Sequence, residues 1–400
     1  MRTKRGPVVV LLAFSFALAA VDGAHAAWTT ETVDSIGNVG LFSSLALDFH
    51  TGSPRISYYD QTNKALKYAS YNGTSWTTPQ TVATGQVGTH TSLALYSGGS
   101  PGISYYDYPN HALMYSTYNG STWVTQTVDS SANVGEDTSL VIDALGHPHI
   151  AYYDRTNGRL KYVTYNGTSW NTPMVVDTIG TYELGTSRTN ISLKLDLNGV
   201  PSIAYHSEVS GALQYAQWNG STSKWDIQVV DNCAHVGAHA SLVMVGTKPF
   251  IAYREATNWT LEFAELEPPN YWTVQLVDDT GDVGYDASLA IDSHGSPHIA
   301  YFAGDPMGDL RLASLDGSIW SGSIWSIETV DSSGVVGLFT SIALDPMTGE
   351  PRISYYDSTN GDLKFAYQGV LPVPEPATLA FLAAGAALAM AARRRALPHA

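Results

Sequence analysis

Trp28-Thr29-Thr30-Glu31-Thr32-Val33-Asp34, near the start of the chain, reads almost as a copy of Trp325-Ser326-Ile327-Glu328-Thr329-Val330-Asp331, near its end. The later copy closes a repeat unit. The earlier one belongs to no unit before it. Between them one motif recurs. The step Val39-Gly40 returns as Val87-Gly88, Val134-Gly135, Leu184-Gly185, Val236-Gly237, Val283-Gly284 and Val336-Gly337, the glycines spaced 48, 47, 50, 52, 47 and 53 residues apart. Internal periods of this size decide a fold before any single residue does.

Each unit holds four short segments. A Ser-Leu strand follows the Val-Gly step, as at Ser44-Leu45 and Ser92-Leu93. A second begins at proline: Pro54-Arg55-Ile56-Ser57-Tyr58-Tyr59-Asp60, with copies from Pro101, Pro148, Pro201, Pro249, Pro297 and Pro351. A third is Leu66-Lys67-Tyr68. A turn such as Asn72-Gly73 leads to a fourth that opens with tryptophan: Trp76, Trp123, Trp170, Trp225, Trp272, Trp325. Asn-Gly supplies the positive φ of tight hairpins. The segments alternate at period two and are dense in β-branched and aromatic residues, with no 3.6-residue periodicity. Four antiparallel strands per unit make a propeller blade. The last unit ends after Leu363-Lys364-Phe365 without a tryptophan strand, so Trp28–Asp34 is expected to complete it. The reading is all-β: a seven-bladed β-propeller of four-stranded antiparallel blades, its N-terminal strand closing the last blade and sparing a bare sheet edge.

Composition agrees. Apolar residues make up 44% and charged residues only 14%, the balance of a β-rich extracellular protein. The formal charge is −16; without the first 26 residues and the stretch from Val373 on, 14 basic and 34 acidic residues remain, a net −20. Such a body repels phosphate backbones, which argues against nucleic acid as a partner. The single cysteine, Cys233, excludes an internal disulfide. Residues 1–26 read as a signal peptide for signal peptidase: a basic start, an apolar run Val8–Ala20, and Ala24-His25-Ala26 as cleavage site.

The other end carries Val373-Pro374-Glu375-Pro376, an apolar run Ala377–Ala392, and Arg393-Arg394-Arg395. These three parts resemble the PEP-CTERM sorting signal of Gram-negative bacteria. The resemblance implies a tail (370–400) with a short transmembrane segment, held transiently in the membrane and cut by an exosortase-type enzyme near Pro374-Glu375-Pro376. It also implies a location in the cell envelope or extracellular matrix. The body, 27–369, resembles lectin-type and sialidase-type propellers in its Asn-Gly-x-x-Trp turns and tyrosine strands. Arg55-Ile56-Ser57 and Ser314-Leu315-Asp316-Gly317-Ser318-Ile319-Trp320 depart from the Arg-Ile-Pro and Asp-box motifs of sialidases.

Residues that recur in every unit read as scaffold. Tyr58, Tyr105, Tyr152, Tyr205, Tyr253, Tyr301 and Tyr355 are expected in the core, each hydroxyl on a backbone partner. Asp60, Asp107, Asp154 and Asp357 are expected to cap their own turns. Function is sought where units differ. Two residues after the Val-Gly step stand Phe42, His90, Asp137, His239, Asp286 and Phe339, with Asn190 nearest the equivalent place in the longer fourth unit. Chain entering an innermost strand lies at the mouth of the channel, so His90, Asp137, Asn190, His239 and Asp286 form a candidate ligand-binding arc, suited to a polyol or a transition metal. Units four and five offer an alternative loop site, placing His206, Glu208, Arg254 and Glu255 where others have Tyr and Asp. No cofactor is expected, and no catalytic residue is assigned. The functional expectation is carbohydrate binding, with polysaccharide as partner; a glycoside hydrolase or lyase, or a structural matrix protein, are the alternatives.

Overall fold

The computed structural model describes residues 27–181, 191–233, 235–304, 308–315 and 324–371. They form seven four-stranded antiparallel sheets and contain no helix. Blade one runs Val39–Leu47, Pro54–Asp60, Ala65–Ser70, Gln80–Thr84 from channel to rim. Blades two to six repeat the order. In blade seven the chain supplies Val336–Leu344, Pro351–Asp357 and Asp362–Tyr367, and Thr29–Asp34 adds the outer strand, Thr29 opposite Tyr367 and Thr32 opposite Lys364. The expected closure is present. The described residues end at Leu371; the expected signal peptide, the apolar run Ala377–Ala392, Leu184-Gly185 and Asn190 lie outside them. Among the described residues no helix is long and apolar enough to cross a membrane.

The recurring residues have identifiable work, and most of it lies between blades. Gly40, Gly88, Gly135, Gly237, Gly284 and Gly337 take φ of 87° to 107°. A Cβ on Gly88 would stand 2.7 Å from Leu66 Cα in the preceding blade, and one on Gly40 2.8 Å from Leu363 Cα. Glycine is needed twice over, for the conformation and for the approach. The serine of each Ser-Leu pair accepts a backbone N–H from the first strand of the next blade. Leu93 donates to Ser44 Oγ, Leu140 to Ser92, Leu193 to Ser139, Leu242 to Ser192, Leu289 to Ser241, Ile342 to Ser288, and Leu45 to Ser341, all at 2.9–3.1 Å. The last of these shuts the circle. Side chains thus satisfy edge groups that an unclosed sheet would leave bare.

The tyrosines are buried as expected, but their partners differ from the expectation. Tyr58 donates to Asp34 (2.6 Å), Tyr152 to Asp129 (2.7 Å), Tyr205 to Asp177 (2.8 Å), Tyr253 to Asp231 (2.7 Å), Tyr301 to Asp278 (2.5 Å) and Tyr355 to Asp331 (2.6 Å). Each aspartate is the last residue of the outer strand of the preceding blade, or for Asp177 the last but one, so a side-chain carboxylate, not a backbone group, takes the phenol. Lys67, Lys161 and Lys364 add an ammonium to the same carboxylates. Blade one ends in Thr84, without such an aspartate, and Tyr105 turns to Ser116 Oγ at 3.0 Å. Asp60, Asp107, Asp154 and Asp357 do cap their turns, through Asn63, Asn110, Asn157 and Asn360 N–H.

The tryptophans pack edge-on against a third-strand ring of the blade before: Tyr68–Trp123, Tyr115–Trp170, Tyr162–Trp225, Tyr215–Trp272, Phe263–Trp325 and Phe365–Trp76, at 5.1–5.5 Å between centroids. Such pairs contribute about 0.5–1.5 kcal/mol each beyond their buried area. Trp76 and Trp170 do not open their strands. They make isolated bridges to Tyr71 and Tyr165, and the strands start at Gln80 and Met174, after Pro79 and Pro173. Proline lacks the N–H that the ladder needs.

Candidate functional site

The Val-Gly step builds the mouth of the channel. After the glycine the register against the second strand shifts twice, between Val87 and Thr89 and between Thr89 and Ser92 in blade two. Within that bulge Phe42, His90, Asp137, His239, Asp286 and Phe339 all take φ of 49° to 55°. This left-handed conformation is costly for a residue with a Cβ, most of all for phenylalanine. It is repeated around the ring, so it belongs to the scaffold. Its effect is to bring the variable position of these six blades to a common rim.

Neighbouring blades couple there. His90 Nδ1 lies 2.8 Å from Asp137 Oδ1, and His239 Nδ1 lies 3.1 Å from Asp286 Oδ1. Asp286 Oδ2 also accepts the N–H of Phe339 at 2.7 Å. The Phe339 ring meets Phe42 at 4.6 Å, and Phe42 meets His90 at 4.7 Å. The circuit therefore runs from His239 through Asp286, Phe339, Phe42 and His90 to Asp137, with blade four between its ends. Asn190, expected in that gap, lies outside the described residues.

Burial opposes a charge on His90, but the Asp137 carboxylate and its hydrogen bond outweigh it and raise the imidazole above the ordinary 6.5. Burial likewise raises Asp286, yet the hydrogen bond and charge of His239 and the Phe339 N–H hold it below the ordinary carboxylate range. These residues line a cavity of about 580 Å³ together with Arg254 and Tyr285.

Arg254 joins this cavity, and so one member of the alternative loop site belongs to the mouth. Its guanidinium lies 2.5 Å from Asp282 Oδ1 and 4.1 Å from the Tyr285 ring centroid. The other members go elsewhere. Ser207, not Glu208, occupies the strand-ending position of Asp60, opposite Ala212; Glu208 follows it in the turn, 3.7 Å from His206 Nε2. His206 Nδ1 meets the Val236 carbonyl at 2.6 Å. Glu255 does take the aspartate position, and it caps the turn by accepting the N–H groups of Thr257 and Asn258 at 2.6 and 2.5 Å.

Phe42, Phe339 and Tyr285 are the aromatic lining residues that sequence reasoning left out of the candidate set. The first two stand at the same variable position as the histidines, which was the available signal. Among the described residues no group of three or more His, Cys, Asp or Glu is placed to hold a metal ion.

Fold and rim together define a class: a seven-bladed propeller with a cavity of imidazole, carboxylate and aromatic groups at one end of its channel. Residues 372–395 match the PEP-CTERM protein-sorting motif, which marks the chain as exported and sorted to the cell surface. No curated protein matches the sequence. Several solved structures share the fold. One is an ulvan lyase of polysaccharide lyase family PL25 bound to -[GlcA(1-4)Rha3S]- (11% identity, 84% of this chain, 95% of that one, TM-score 0.58). Another is the propeller domain of Myceliophteria thermophila Cps50 (8%, 84%, 99%, TM-score 0.54). A weaker match is the SapL1 lectin in complex with α-methyl fucoside (12%, 74%, 98%, TM-score 0.48), from which nothing is concluded.

Proposed function

We propose that this exported propeller binds carbohydrate of an exopolysaccharide or cell surface at its channel mouth, without catalysis. The observation that carries the reading is the convergence of two His–Asp pairs and the Phe42–Phe339 ring pair on one cavity. Sugars need both: hydrogen-bonding groups for hydroxyls and an aromatic face for the C–H side of the ring. A cavity of about 580 Å³ suits one or two sugar units. The test is a glycan array on the purified protein, then calorimetry of the best ligand against a His90→Ala/His239→Ala double variant. The variant is expected to lose at least ~10-fold in affinity, about 1.4 kcal/mol, while keeping the parent's folded spectrum at the assay temperature. Unchanged affinity rejects the mouth as the site.

One observation favours a second reading, a glycoside hydrolase or lyase at the same mouth. His90 sits 2.8 Å from Asp137, whose carboxylate outweighs burial and raises the imidazole from its ordinary 6.5, the direction a general acid requires. A turnover assay on any array ligand separates the two readings, and a ligand bound but never cleaved supports the first. A structural matrix protein would bind no glycan on the array.

The location proposed is the envelope or matrix of a Gram-negative bacterium, reached through signal peptidase and an exosortase-type enzyme. Intact mass of protein from its host is expected to lack residues 1–26 and Arg393–Arg395. A mass that includes those arginines rejects tail removal.

A further inference from the structure

We propose that the face opposite the mouth rests on a lipid surface while the sorting tail is in the bilayer, so that the mouth points away from the membrane. The proposal uses the sorting-tail reading and is independent of the glycan reading.

Every first strand starts at the mouth and ends on the far face, where a short turn leads to the second strand. The tips of these turns carry Phe49 in blade one, Leu145 in blade three, Leu197 in blade four and Met347 in blade seven, exposed by 79%, 80%, 71% and 76%. Single exposed apolar residues need no explanation. Four of them in the same turn of a ring do, because equivalent positions of a ring share a plane. The mouth face also exposes Ile36, Tyr108, Val209, Trp259 and Val335, but these fall in different loops and at unlike positions of their blades. Each tip is fixed by an aspartate whose carboxylate accepts a turn N–H: Asp48 from His50, Asp143 from Leu145, Asp196 from Asn198, Asp345 from Met347, all at 2.8–3.0 Å. Neighbouring turns also touch, as where Leu197 N–H meets the Gly246 carbonyl at 3.0 Å. A rigid, planar set of apolar tips fits a flat apolar partner.

The tail leaves from this same face. Arg352, fully buried, donates to the carbonyls of Gln368 at 2.6 Å and Val370 at 3.2 Å. It also pairs with Asp345, the aspartate of the Met347 turn, at 3.2 Å. The chain at Leu371 is therefore stapled beside one of the tips. Six residue steps separate Leu371 from Ala377, where the apolar run begins. Fully extended, they reach only about 20 Å. A seven-residue strand such as Pro351–Asp357 is about 23 Å tall. The mouth cannot meet the lipid while the run is inserted, whereas the turn tips are already beside it. With a body charge of −20, contact by the tips is apolar and favours a zwitterionic surface over an anionic one.

Cys233 makes the test direct. It is exposed and follows Asp231, whose other oxygen holds Tyr253 at the mouth side of the disc. The chain from Ala27 to Ala400 is reconstituted in phosphatidylcholine vesicles containing a nitroxide lipid, and a fluorophore is placed at Cys233 or, in a Cys233→Ser background, at Leu145→Cys or Leu197→Cys. Flotation with the vesicles reports tail insertion. Quenching at least threefold stronger at positions 145 and 197 than at Cys233 supports the orientation. Equal quenching at the three positions, or stronger quenching at Cys233, overturns it with the tail reading intact. Failure to float overturns both. Replacing Phe49 and Met347 by serine in the Leu145→Cys protein is expected to halve the quenching at that label, and unchanged quenching would deny the tips a role beyond the tether.

Discussion

His90 shows how much one side chain takes from the fold. Its backbone is held at φ 53°, its ring packs against Phe42, and its Nδ1 meets Asp137 from the next blade. Because its folded pKa lies above 6.5, the pairing stabilises the protein fully below about pH 6.5 and fades as pH rises through the folded value. An Asp137→Asn variant is therefore expected to lose most stability, relative to the parent, in mildly acidic solution, with the gap narrowing above neutrality. Urea titrations across pH measure this, and an NMR titration of His90 should give a midpoint above 6.5. A gap that widens with pH removes the charged pair from the account. Sequence alone could name His90 and Asp137 as neighbours, because ring arithmetic makes adjacent blades touch. It could not see Arg254 at the same cavity, because that residue reaches the mouth from the end of a second strand. Nor could it pair Tyr58 with Asp34, since the partner sits on the N-terminal strand that is counted with blade seven, whose other three strands come from the far end of the chain.

The strand Thr29–Asp34 bonds to both blades at the seam. Glu31 accepts from Trp76 in blade one and from Tyr367 in blade seven, at 3.1 Å each. Asp34 takes Tyr58 and Lys67 of blade one. Deleting Trp28–Asp34 leaves a buried phenol without an acceptor and bares Asp362–Tyr367 as an edge strand. A loss of at least ~3 kcal/mol, or aggregation, is expected. Urea denaturation measures it, and a deletion variant as stable as the parent would mean that the ring does not need its shared blade. This element was legible because a repeat exposes whatever is missing from one end and surplus at the other. The starts of the outer strands in blades one and three were less legible: the tryptophan that marks them packs across to the neighbouring blade and is cut off from its own ladder by Pro79 or Pro173.

Across the whole molecule the fold was readable because the same few residues solve the same packing problem in each blade. The rim was only partly readable because it is where those solutions stop repeating. Seven serine-to-backbone bonds run round the channel with no first or last member. Thr29 and Tyr367 already face each other across one ladder. The order in which the blades are strung is then separable from the ring they make, and the chain can be recut. A circular permutant joining Leu371 to Trp28 through a short Gly-Ser linker, and opened at Gly85-Gln86, keeps every strand. It breaks covalent continuity where no Tyr–Asp bond spans the blades, between Thr84 and Tyr105. It is expected to refold to the parent's spectrum but to unfold at least ~10-fold faster in denaturant, because the ring now parts without first stripping a strand from a blade. Equal unfolding rates would place the kinetic lock in the serine circle instead of in the strand that straddles the two ends.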